Sequence, residues 1–195
     1  MHASVILKRS PHLASALRRT LPAEEVTLLE RAYDYAQATG GEEEVSFSRP
    51  AGQSYNPRPA RVCLILLHDL SVRDARILQA GLVACGAEPR GYPSPEVAAL
   101  AVLALQPPDE LRCSGAREAA AIALALRLDL ARHFHLMNEE ALRPFLGETA
   151  AFLELARELH PSIVPRFETV ARRRVLRTVE GSSGAAGSDN SAGRE

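Results

Sequence analysis

"GAREAAAIALALRLDLARHFHLM", residues 115–137, is the stretch that decides the fold. It is dominated by Ala, Leu and Arg, strong helix formers, and predicts one long helix. No alternation at a period of two competes with that reading, here or elsewhere in the chain. Arg127 and Asp129 interrupt its apolar run, and no run in the chain reaches the roughly 18 residues that a bilayer crossing needs.

Outward from this helix the same period recurs. "AEEVTLLERAYDYAQA" (23–38) places Val26, Leu29, Ala32, Tyr33 and Ala36 on one helical face, with acids in the first turn. "RVCLILLHDL" (61–70) follows Pro59, and "DARILQAGLVAC" (74–85) has Asp74 as its predicted N-cap. "SPEVAALAVLAL" (94–105) combines Ser94 as cap with Pro95 at the first helical position. Residues 138–160 start with Asn138 as cap and are divided by Pro144, and "PSIVPRFETVARRRVLR" (161–177) closes the series. The expectation is an all-α single domain of about seven helices over 23–179. An N-terminal arm takes 1–22, and a disordered Gly/Ser-rich tail takes 180–195.

Composition narrows the function. The chain has 195 residues, 46% of them hydrophobic, enough for one real core. A formal net charge of -1 argues against a DNA-binding field, and 5% aromatics with no Trp argue against base stacking. Cys63, Cys85 and Cys113 are odd in number and lack a CxxC spacing, so they read as reduced thiols in a cytoplasmic protein, not as a disulfide frame or zinc site. No membrane partner is expected, and the oligomeric state is left open.

His68–Asp69, at the end of 61–70, has the residue types of a metal-binding dyad. Its setting is a helix end before the turn "SVRD", so a helix-end role is expected. Asp129 and His133 are four apart on the long helix and share a face. With His68 and Asp69 they define an alternative, relocated metal site.

Several stretches, in order, carry a family resemblance. They are Ala32-Tyr33-Asp34-Tyr35-Ala36, Arg49-Pro50-Ala51-Gly52-Gln53-Ser54-Tyr55 and Arg58-Pro59-Ala60-Arg61-Val62-Cys63. Ala80 to Glu88, Ala125 to Arg132 and Gly147-Glu148-Thr149 follow. Together, over about residues 24–170, the chain resembles the (p)ppGpp hydrolase domain of RelA/SpoT-type alarmone enzymes, within the HD-domain superfamily. That resemblance implies a helical HD-type fold in which a divalent metal, usually manganese, drives removal of a pyrophosphate.

The departures bear on that chemistry. The family's first metal His falls on Arg58, or on Asn56 if the loop carries a gap. Its His-Asp dyad falls on Ala84–Cys85 and its last metal Asp on Leu126. Glu88 survives from the Glu-Asp catalytic step, followed by Pro89. Manganese-type centres want hard oxygen and imidazole donors, which alanine, leucine and arginine lack. The expectation is therefore a catalytically inactive pseudo-phosphohydrolase with no cofactor and a structural or regulatory role, with a guanine nucleotide or a protein as its partner. Arg49, Tyr55, Arg58, Glu88 and Arg127 are the candidate ligand-binding residues, with Arg58 paired to Glu88 if the cavity is merely sealed. The competing expectations are an active metal-dependent hydrolase with a non-standard site, and a helical protein-interaction module.

Overall fold

A computed structural model describes residues 10–40, 58–133, 137 and 139–172. The described residues are all-helical, with no strand. In order the helices are α1 (Pro11–Thr20), α2 (Ala23–Thr39), α3 (Arg58–His68) and α4 (Ala75–Val83). Then come α5 (Pro95–Ala104), α6 (Pro108–Ser114), α7 (Arg117–Arg132), α8 (Glu139–Leu159) and α9 (164–172). Single 3-10 turns at Pro89–Gly91 and Pro161–Ile163 link α4 to α5 and α8 to α9.

The central element is α7. Ala119 to Asp129 are all buried, so this helix is enclosed on nearly every side. That follows from a sequence apolar all round its axis, which can lower its free energy only inside a core. Helices α3, α4, α5, α6 and α8 pack around it, and α2 covers α4 from outside. No helix among the described residues is long and apolar enough to cross a membrane.

Local signals explain most boundaries. Asp74 caps α4 as expected, its carboxylate accepting from the Arg76 amide at 2.8 Å. Ser94 precedes α5 without a side-chain cap bond, and Pro95 supplies the preset backbone angle at its first turn. The predicted cap Asn138 lies outside the described residues. Pro144 does not divide α8. Both Pro144 and Glu140 face solvent, so the one carbonyl that loses its amide donor can be hydrated instead.

Two helices exceed the expected seven. One is α1, within the N-terminal arm of residues 1–22, which buries Leu13, Ala14, Ala16 and Leu17 against α2 and α3. Its apolar face is short, and the arginines at its end mask it in the sequence. The second is α6, begun by Pro108 in its first turn and ended by Gly115 at φ 62°, the left-handed stop that glycine reaches without strain. A proline pair that reads as a break is here a helix start.

Candidate functional site

Arg61, on α3, and Asp129, on α7, form a buried fork. Arg61 Nε donates to Oδ1 at 2.6 Å and Nη2 to Oδ2 at 2.9 Å. The Asp129 side chain is 1% exposed and that of Arg61 16%. A carboxylate that deep is tolerated only with a matched cation and satisfied lone pairs, and the two-bond geometry supplies both. The His133 Nδ1–H donates to the Asp129 backbone carbonyl at 2.7 Å, closing the end of α7 beside the fork.

The Cys85 thiol stands just past the end of α4 and donates to the Gly81 carbonyl at 3.3 Å. Burial pushes its pKa up to about 12, against the pull of Arg58, with Asp129 adding to the rise and Arg61 opposing it. Cys63, on α3, is also pushed up, by burial and then by Cys85. Both sulfurs are therefore neutral thiols near pH 7, poor as nucleophiles and as metal ligands. Arg58 opens α3 one turn before Arg61; it is partly exposed, and its buried Nε has no hydrogen-bond partner among the described residues.

The predicted residues divide as follows. Arg58 and Cys85 come within electrostatic range of each other, with Arg61 and Asp129 beside them. Ala84 and Leu126 are buried in the same apolar core. Arg49, Tyr55 and Asn56 lie outside the described residues. Glu88 does not pair with Arg58, correcting the expectation of a sealing ion pair. Its side chain is exposed in a turn held elsewhere: the Tyr35 hydroxyl donates to the Glu88 carbonyl at 2.7 Å and the Ala87 amide to the Thr39 carbonyl at 3.2 Å.

Arg127, expected to meet a ligand, is buried against α8 instead. Its guanidinium donates to Thr149 Oγ1 and to Glu148 Oε2, each at 2.9 Å, and to the Phe145 carbonyl. It also stacks 4.0 Å from the Phe145 ring centroid. Burial lowers its pKa, with Glu148 opposing the drop. These contacts clamp α7 to α8 and leave no free donor fork for a ligand.

The relocated metal site does not assemble. Asp69 accepts from Arg132 at 2.7 Å and is paired with Arg166 at 2.9 Å, while Asp129 is held by Arg61. His68 ends α3 exposed. Among the described residues no group of three His, Cys, Asp or Glu side chains is placed to hold an ion.

Arg61 is the site residue that sequence reasoning missed. The signal was present: a single carboxylate in the buried run of α7 needs a cation, and Arg61 follows Arg58 by one helical turn. Elsewhere, a cleft of about 490 Å³ lies between Ala87–Gly91 and the end of α5, lined by Glu88, Arg90, Val102 and Leu105 among others. It gathers one acid and one base only. Comparisons of the chain with protein-family models, with curated proteins and with solved structures found no match.

Proposed function

We propose that the chain is a catalytically silent, HD-like helical domain with a structural or regulatory role, acting by binding and not by turnover. The observation behind it is the Arg61–Asp129 fork, which stands within electrostatic range of Cys85, as does Arg58; Arg58 and Cys85 are two positions that the resemblance aligns with metal ligands. The residues present do not fit a divalent ion. Two guanidiniums repel a cation, the only carboxylate in the fork has both oxygens engaged, and the neighbouring thiols stay protonated.

Two observations agree with the proposal. Arg58 and Cys85, from separate stretches of the sequence, lie within electrostatic range of each other, and Arg127 hydrogen-bonds Glu148 and Thr149. Free thiols at Cys63, Cys85 and Cys113 suit a reducing compartment, which is the basis for placing the chain in the cytoplasm.

Purified full-length chain would be incubated with ppGpp, GDP and p-nitrophenyl phosphate, with manganese or magnesium and with or without EDTA. The expected outcome is no turnover above a buffer blank and no change in melting temperature on adding manganese. Phosphoester cleavage that EDTA abolishes would overturn the proposal.

A further inference from the structure

Helix α5 is apolar on every side. Of Pro95–Ala104 only Glu96 is polar, and Leu105 follows directly. Such a helix lowers its free energy only when it is enclosed. One side is: Val97, Ala98, Leu100, Ala101 and Ala104 are buried, and the helix packs on α4, on α7 and on the turn Pro89–Gly91. The other side is left open by the described residues. Ala99 is exposed there, Val102 and Leu103 are half-buried, and Leu105 is 52% exposed. Leu105 and Leu28 are the two large apolar side chains that stand exposed among the described residues. The cleft of about 490 Å³ opens at the same place, lined by Val102 and Leu105 and by the turn Ala87–Gly91.

The charges around this cleft decide what covers it. Glu88 and Arg90 line it, both are exposed, and neither side chain is engaged by a described residue. A partner surface of a single sign would satisfy one of them and repel the other. A second copy related by a two-fold axis satisfies both, because such a contact joins one patch to itself and every acid–base pair occurs twice. We propose that the open side of α5 and its cleft form a self-association surface whose occupant is a second copy of this chain. Leu105 of each copy enters the apolar cleft of the other, and Glu88 of each meets Arg90 of the other. Self-association of this kind is independent of whether the chain turns over a substrate.

Sedimentation velocity on the full chain, over a micromolar concentration series, tests this. The expected result is a reversible equilibrium between one chain and two, with no larger species, since a two-fold contact closes on itself. Leu105→Glu puts a carboxylate into the apolar contact and should leave only single chains. Glu88→Arg and Arg90→Glu each set like charges opposite one another and should raise the dissociation constant about tenfold or more. The combined Glu88→Arg/Arg90→Glu protein should dimerise as the unaltered one does. An equimolar mixture of the two single variants should form mixed dimers, which each variant alone does not form as tightly. All three positions are exposed, and the bonds that hold the turn run through the backbone carbonyl of Glu88, so helical content should be unchanged in every variant by circular dichroism.

Single chains at every concentration would overturn the proposal. If Leu105→Glu then lowers the melting temperature, the face is covered from within the same chain; if it does not, the face is left to another protein. A dimer that survives Leu105→Glu lies on some other surface. Failure of the combined charge reversal to restore what the single reversals lose would overturn the two-fold pairing, as would open-ended association into larger species.

Discussion

The Arg61–Asp129 fork makes an asymmetric prediction. Truncating one partner of a buried ion pair costs about 3–5 kcal/mol, because the remaining charge is left without a match. The two partners are not equally buried: the Asp129 side chain is 1% exposed and that of Arg61 16%. Arg61→Met strands the deeper charge, so it belongs at the top of that range, about 5 kcal/mol. Asp129→Leu takes the carboxylate from a guanidinium that is less deeply buried, about 3 kcal/mol. For a chain of this size each kcal/mol moves the melting temperature by about 2–4 °C, so the Asp129→Leu shift is about 6–12 °C. The double variant, with an apolar pair in place of the ions, should return to within about 1 kcal/mol of the unaltered protein. Urea unfolding of all four proteins, checked by thermal scans, measures this. Equal costs for the two single variants would refute the burial argument. A double variant as unstable as the worse single would refute the pairing itself.

Other consequences are simpler. Arg127→Lys keeps the charge but loses the planar fork and the ring stacking, so α8 should loosen at a cost of about 2–3 kcal/mol in urea unfolding; a loss under about 0.5 kcal/mol would contradict the clamp. Iodoacetamide on the native protein should modify Cys113, which is exposed, first, half-buried Cys85 more slowly, and buried Cys63 only once denaturant is added; mass spectrometry reads the order, and early loss of Cys63 contradicts the description. Burial lowers the His160 pKa below its ordinary 6.5, with the hydrogen bond to the Arg117 carbonyl opposing the drop and the Arg117 charge adding to it. The unfolded chain then binds a proton that the folded chain refuses, so stability is complete above about pH 6.5 and declines as pH falls through that value toward the folded pKa. His160→Gln should flatten that decline, and an unchanged slope of unfolding free energy against pH would count against His160 as its source.

Much of the architecture was legible in the sequence, and specific residues show why. Asp74 caps α4 through a bond to an amide two residues on, a contact that local sequence dictates. Val26, Leu29, Ala32, Tyr33 and Ala36 form the buried face of α2 in the order their spacing requires. The apolar wrap of α7 demanded a central position. That alanine, leucine and arginine carry no hard metal donor is a matter of side-chain chemistry and needs no coordinates to be read.

Errors arose where a local rule met a long-range partner. Pro144 signals a break, but an exposed position lets water satisfy the lost bond. Arg127 looks like a ligand residue until Thr149, Glu148 and Phe145 arrive from α8.

Helix content and helix faces were thus determined by the sequence, since each depends on neighbours within a turn. Pairing was decided by the tertiary structure. Asp129 could have drawn any of the chain's 23 basic residues, yet it meets Arg61, 68 positions away, because α3 packs on α7. Charge choice among distant residues depends on which helices touch and at what register, and only the folded core specifies that.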